Sequence, residues 1–226
     1  MNPFRVRRIP PALLRKFSEG CYVDSPVYFD AAGWVRWLNW AKLERLLTMV
    51  SQKRSLRVLD FACGNGVMFP TWEEHFLLTV GIDLQVTAAD RVRKHFRLEK
   101  VSLARSEGGS LPFREGSFDL AFAASTLEHF ADLQVPLEEI RRVLREGGQL
   151  VFLCPNENEF YGWGRRLAGY EKPPDHYHSA DEVLKAAESF FDLARVSWFP
   201  RWVPPFFAIY KMGRAVKSKK AEGEHS

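Results

Sequence analysis

Apolar residues along this chain fall into short blocks separated by amphipathic stretches. Leu56–Phe61, Leu77–Leu84, Val101–Ala104, Phe118–Ala124 and Gln149–Cys154 are runs of four to eight residues, apolar in the main, and read as strands buried on both faces. Between them, Phe69–Phe76, Val86–Leu98 and Pro136–Arg145 predict helices, the last with a proline near its first turn and Gly147-Gly148 as its stop. Ahead of this alternation, residues 1–30 read as irregular. From about Ala32 to Ser51 apolar residues at three- and four-residue spacing, Trp34 and Trp37 among them, predict a helix packed on the sheet. After it, Asp181–Glu188 reads as a helix, and Phe191–Phe199 and Phe206–Met212 as two strands joined by a proline-rich turn. No helix fits between those two strands, so the pair is expected to be antiparallel.

Strands alternating with helices imply an α/β fold of Rossmann-like type: a mostly parallel sheet with an antiparallel last strand and helices on both faces. No repeat or linker divides the 226 residues, so one domain is expected. Residues 1–52 would form an N-terminal lid or helical segment, 53–212 the core and 213–226 a basic, flexible tail.

Charge changes this picture at the ends. The net charge is +4, yet residues 17–210 carry 22 basic and 26 acidic side chains, so the body is mildly acidic and the termini are basic. That balance argues against a nucleic-acid-binding face, while the ends could make weak contact with an anionic membrane surface. The aromatic stretch Trp198–Phe207 beside the basic tail points the same way. No apolar run is long enough to span a membrane, no signal peptide is read, and three widely spaced cysteines (Cys21, Cys63, Cys154) suit a reducing cytoplasm.

The chemistry concentrates at strand ends. Val58-Leu59-Asp60-Phe61-Ala62-Cys63-Gly64-Asn65-Gly66 runs from a strand through an acid into a small-residue turn, where open α/β sheets bind ligands. Phe69 stands where a dinucleotide fingerprint needs a small residue, and an acid before the turn suits a ligand with a cationic amine. Asp83, 23 positions after Asp60, ends the second strand and can accept two hydrogen bonds from a ribose diol.

With these segments in order, followed by Ser110–Asp119, Ser125-Thr126-Leu127-Glu128-His129 and Arg145-Glu146-Gly147-Gly148, the chain resembles the class I S-adenosylmethionine-dependent methyltransferases. Within them it is similar to the broad group that includes ubiquinone- and menaquinone-biosynthesis-type enzymes. The resemblance covers about residues 58–155 and implies S-adenosylmethionine as cofactor. It implies that Asp60 and the backbone of Ala62, Cys63, Gly64 and Gly66 hold the methionine part, Asp83 the ribose and Leu84 one face of adenine. Glu107 and Gly108 would face the adenine edge, and Ala124 and Ser125 the sulfonium. Two departures stand out: family members usually have Gly at Ala62 and Asp at Glu107. An alanine at 62 accommodates a close ligand only if its φ is negative.

A methyltransferase mainly aligns an acceptor, excludes water and removes a proton. His129 is the candidate base, with His176 and His178 of Asp175-His176-Tyr177-His178 as alternatives, and Glu128 reads as a solvated or cap-like carboxylate. No zinc-type spacing is present, so no metal site is expected. Tyr22, Tyr28 and Phe29 precede the core, and Tyr28 and Phe29 could form a lid. The loop with Phe160, Tyr161, Trp163, Arg165, Arg166 and Tyr170 is the expected selector of the acceptor. The function implied is methylation of a small organic acceptor, preferably at oxygen: a quinone, phenol, lipid-linked or sugar hydroxyl. A tRNA-modifying enzyme and a non-catalytic cofactor-binding module are the alternatives.

Overall fold

A computed structural model describes residues 5–21, 26–50, 55–167, 169 and 174–218. Tyr22, Tyr170, Lys219 and Lys220 lie outside them. Seven strands form one sheet: β1 (Arg57–Phe61), β2 (Leu78–Asp83), β3 (Val101–Arg105), β4 (Phe118–Ala124), β5 (Leu144–Pro155), β6 (Asp192–Phe199) and β7 (Tyr210–Val216). Their order is β3-β2-β1-β4-β5-β7-β6. β1 to β5 run parallel, and β7 is antiparallel to both β5 and β6. The α/β sheet with its reversed last strand is therefore as expected. The winding changes direction between β1 and β4, and the crevice above their carboxyl ends is where such sheets take ligands.

The helices are α1 (Pro11–Ser18), α2 (Gly33–Leu47), α3 (Phe69–His75), α4 (Thr87–His95), α5 (Gln134–Val143), α6 (Glu159–Leu167) and α7 (Ala180–Glu188). Two large apolar clusters form the core. One holds α2 with Phe69 and Trp72 of α3, and the other holds α5 and α7. α7 starts on a capping box in which Ser179 and Glu182 satisfy each other's backbone N–H groups.

Several local expectations are corrected. The segment expected to be irregular contains α1, whose Pro11 opens the helix and whose Leu14 and Phe17 are buried. Trp34 and Trp37 are exposed, and only Trp40 of the three enters the core, because the buried stripe of α2 runs through Val35, Asn39, Lys42 and Leu46. α5 ends at Val143, and Gly147-Gly148 form a bulge inside β5, where the register slips between Phe118 and Leu120. The expected loop after β5 contains α6, with Asn158 Oδ1 accepting from Tyr161 N at 2.7 Å. The last strand begins at Tyr210 rather than Phe206, since Pro205–Phe207 form a single 3-10 turn. Gly213–Val216 belong to β7, and the buried Lys217 donates to Leu144 O at 2.8 Å, so this stretch completes the sheet and is not a tail.

Phe69, which argued against a dinucleotide fingerprint, has a packing role. Its ring fills the space left by two glycines: a Cβ on Gly66 would lie 2.8 Å from it and one on Gly81 only 2.6 Å. Gly66 also holds φ +72°, open to glycine at little cost. The ring thereby locks the turn after β1 onto β2. Gly81→Ala, which has no φ penalty, is expected to destabilise the fold by about 1–3 kcal/mol through overpacking. Urea denaturation would read this, and Phe69→Leu in the same chain should recover part of the loss. An unchanged midpoint would show that the ring is not wedged there.

Candidate active site

A cavity of about 470 Å³ opens over the carboxyl ends of β1, β2 and β4. Asp60, Ala62, Cys63, Gly64, Asp83, Leu84, Glu107, Gly108, Ala124, Ser125 and His129 all line it. Gly66 is not among the lining residues; it serves the Phe69 contact instead.

Asp60 ends β1 and is buried, and Trp72 Nε1 of α3 donates to its Oδ2 at 2.7 Å. Among the described residues no lysine, arginine or histidine nitrogen forms an ion pair with it. Burial pushes its carboxyl up to about 7, against the lowering effect of the Trp72 hydrogen bond. Asp83 ends β2 and fixes the turn: Gly64 N donates to Oδ2 at 2.8 Å and Gln85 N to Oδ1 at 3.1 Å. Each oxygen keeps acceptor capacity toward the cavity.

The turn itself is strained at one place. Ala62 has φ +55°, the left-handed region, contrary to the negative φ on which its tolerance was conditioned. Cys63 N donates to Ile82 O at 2.8 Å and Gly66 N to Cys63 O at 2.9 Å, so the chain must curl back immediately after β1. Gly64, at φ +55°, has nothing within 4 Å of where a Cβ would stand, which leaves room above the turn. At Gly108 a Cβ would press on Phe61 and Phe130, so glycine lets this loop close down on the core.

Sequence reasoning missed the most informative wall residue, Lys42 on α2. It is buried, lines the cavity, and points Nζ at Ser125 Oγ (3.2 Å) and Tyr210 Oη (3.4 Å), with the Tyr210 ring 4.4 Å away. No carboxylate forms an ion pair with it among the described residues. The signal was available: Val35, Asn39, Lys42 and Leu46 repeat at helical spacing, and a lysine on an apolar stripe is rarely buried without purpose. Tyr28, expected in a lid, is buried against Trp40 and lines the same wall, whereas Phe29 lies in the core.

At the other end of the cavity, His129 and Glu128 sit on the 3-10 turn Leu127–His129 that follows β4. His129 Nδ1 is 2.8 Å from Asp175 Oδ2, which also lines the cavity. The histidine beside Asp175 helps to hold that carboxyl below its usual range, against burial. The charged carboxylate accepts a hydrogen bond from Nδ1–H, which keeps the proton on Nδ1 and leaves Nε2 as the basic nitrogen. His176 does not line the cavity; its ring stands edge-on to His129 at 4.6 Å, with Nδ1 2.7 Å from Glu157 Oε1. His178 is separate from this group, its Nε2 3.3 Å from Ala131 O. Glu128 corrects the expectation of a solvated group: it is fully buried, and burial pushes its carboxyl up to about 6. Of the expected selector loop, Tyr161 stacks edge-on against Tyr210, and Arg165 holds Glu157, while Trp163 and Arg166 face solvent.

The chain is similar to known proteins in both sequence and fold. Residues 59–152 match the protein family described as a methyltransferase domain. Residues 59–152 thus carry the likeness to a methyltransferase domain, set in a sheet of the class I methyltransferase type. Among its relatives, the malonyl-[acyl-carrier protein] O-methyltransferase of Erwinia pyrifoliae is 31% identical over 152 residues, 65% of this chain and 56% of that one. The phthiotriol/phenolphthiotriol dimycocerosates methyltransferase 1 of Mycobacterium ulcerans is 31% identical over 177 residues, 75% of this chain and 65% of that one. The chain thus spans about half to two thirds of the length of these two relatives. A solved SAM-dependent methyltransferase from Aquifex aeolicus shares the fold, with a TM-score of 0.65, 19% identity, and coverage of 93% of this chain and 100% of that one.

The raised Asp60 carboxyl has a measurable consequence. A cation bound against it favours the charged form, so binding of a cationic ligand at pH 6 should expel most of a proton, and affinity should rise with pH until about 7. In the ligand-free chain the sign is opposite. A carboxyl raised above its unfolded value of 3.8 contributes stability that is present below that pH and is lost as pH rises through about 7. Titration calorimetry with S-adenosylmethionine in buffers of different ionisation enthalpy would show the proton release, which Asp60→Asn should abolish. A binding heat independent of buffer would place the ammonium elsewhere.

Proposed function

We propose that this chain is an S-adenosylmethionine-dependent methyltransferase that methylates an oxygen of a small organic acceptor. The observation that carries the reading is a buried carboxyl and a buried ammonium in one cavity wall, Asp60 and Lys42, neither of them ion-paired among the described residues. Uncompensated buried charges are costly. A zwitterionic ligand relieves both: its ammonium meets Asp60 and its carboxylate meets Lys42. Asp83 takes the ribose diol, and Leu84, Glu107 and Gly108 border the base. No metal or nucleotide chemistry is needed for this fit, only the amino-acid zwitterion and a diol.

When bound, the cofactor supplies a methyl group on a positively charged sulfur. The chain's own residues align the acceptor at the Ser125–His129 end of the cavity, exclude water with Tyr28 and Phe130, and receive the hydroxyl proton. His129, oriented by Asp175, is the group at that end with a nitrogen suited to the task. Acceptors of the quinone, phenol, lipid-linked or sugar-hydroxyl class fit the reading. The names of the two relatives support an oxygen acceptor in one case and a lipid in the other.

Binding measurements test the cofactor site without knowledge of the acceptor. Asp83→Ala and Lys42→Met should each weaken S-adenosylmethionine by about tenfold or more, the loss expected for a charge-assisted hydrogen bond. Decarboxylated S-adenosylmethionine should be bound equally by the parent and Lys42→Met, since it has no carboxylate to lose. If Lys42→Met weakens both ligands alike, the lysine serves the fold or the acceptor and the zwitterion reading fails. On an acceptor found by screening, His129→Gln should lower kcat by about 10²–10⁴-fold with little change in cofactor affinity.

A further inference from the structure

The proton-accepting role of His129 explains neither Glu128 nor His176. Glu128 is fully buried, and neither of its oxygens finds a formed hydrogen bond among the described residues. The buried Cys154 thiol beside it is only a weak donor. His176 repeats the arrangement of His129: each ring places Nδ1 against a carboxylate, Asp175 at 2.8 Å and Glu157 at 2.7 Å. Arg165 in turn holds both oxygens of Glu157, at 3.1 and 3.2 Å. Carboxylates on Nδ1 fix both rings in the tautomer whose Nε2 lone pair is free, the arrangement metal-ligating histidines use.

We infer that Glu128, His129 and His176 form a binding site for one divalent transition-metal ion, with zinc the ion whose preferences they suit best. One donor atom from each of the three lies within 4.8 Å of the others. Around a tetrahedral zinc ion with bonds of roughly 2.0–2.1 Å, donors stand about 3.4 Å apart. Each therefore moves inward by less than about 1 Å, which rotation of the side chains supplies. Three carboxylates (Glu128, Asp175 and Glu157) face Arg165 and the more distant Lys42 here, and a divalent cation offsets the surplus negative charge. Two imidazoles and a carboxylate are the donor set of hydrolytic zinc centres, and they leave a fourth position open. Only His129 of the three lines the cavity, so the ion adjoins it through that residue.

The role of the ion, though not its binding, rests on the methyltransferase reading. With the ion bound, the His129 lone pair is committed to it, so the proton-accepting role given to His129 above belongs to the metal-free chain; in the loaded chain the acceptor oxygen takes the open position. The ion lowers that oxygen's pKa, its proton passes to solvent, and the oxygen–carbon bond forms as the carbon–sulfur bond breaks.

The test uses the full chain stripped with chelator and titrated with Co²⁺ and Zn²⁺. Expected are one saturable ion per chain, visible absorption bands of four-coordinate Co²⁺, and displacement of Co²⁺ by Zn²⁺. Glu128→Gln and His176→Ala should weaken binding by about tenfold or more, and Glu157→Gln, which does not touch the ion, by about 10–100-fold. His178→Ala should leave binding unchanged, and circular dichroism checks that each variant is folded. Absence of saturable binding to the folded parent at micromolar Zn²⁺ overturns the site, as does binding that none of the three weakening variants alters. The stripped chain is titrated with S-adenosylmethionine alongside: failure there with intact metal binding counts against the methyltransferase reading and leaves the metal site standing.

Discussion

A carboxylate held inside the protein without a counter-ion is the constraint around which this molecule is arranged. Asp60 is the last polar group of the central strand β1, and its burial alone is unfavourable. Trp72 offsets part of that cost with an indole hydrogen bond, reaching Asp60 from α3, which packs on β2 and β3 beside it. That packing depends on Phe69, one turn earlier, filling the space above Gly66 and Gly81. The sharp turn that follows Asp60 puts Ala62 in the left-handed region and exposes backbone groups to the cavity. Strain, packing and charge meet at one strand end, as they do where function overrides local preference.

The fold was legible in the sequence because its signals are local. Buried parallel strands read as apolar runs, and β4 was located to the residue. The candidate cofactor residues were legible because a strand end, a glycine turn and an acid at fixed separation are linear features. What escaped was non-local. Lys42 enters the cavity from a helix some 80 positions before its partner Ser125, and only its place on a buried stripe hinted at it. Glu128 is buried because the loop carrying His176 folds over it, with Tyr177 N donating to Glu128 O at 2.9 Å. Nothing near Glu128 in the chain announces that contact. β7 was misplaced for a different reason: Phe206 and Phe207 are apolar and β-prone, yet they stay exposed in a turn, while the less apolar Tyr210–Val216 is central to the sheet edge.

The two ends of the cavity differ in how they are built. Asp60, Asp83 and the turn between β1 and α3 are fixed by backbone hydrogen bonds and core packing. The opposite end comes from a 3-10 turn, the stretch before α7 and the start of α6, pinned by side-chain pairs such as Asp175–His129 and Glu157–Arg165. One end of the cavity is thus built from rigid elements and the other from loops, where specificity is most easily varied. The basic ends of the chain are also less free than their charge suggests: Arg7, Arg8, Arg15 and Lys211 pair with Glu74, Glu44, Asp30 and Asp181.

The position of β7 bears on how the protein comes to exist in a cell. β7 fills the slot between β5 and β6, both of which precede it in the chain. On the ribosome β6 therefore emerges with no neighbour and must wait, an exposed edge, until Tyr210–Val216 follow. Tyr210 also supplies the hydroxyl that Lys42 points to. Until those residues leave the exit tunnel, the nascent chain lacks both a complete sheet and the hydroxyl that holds Lys42 in the cavity wall, so the last act of folding also sets that lysine in place.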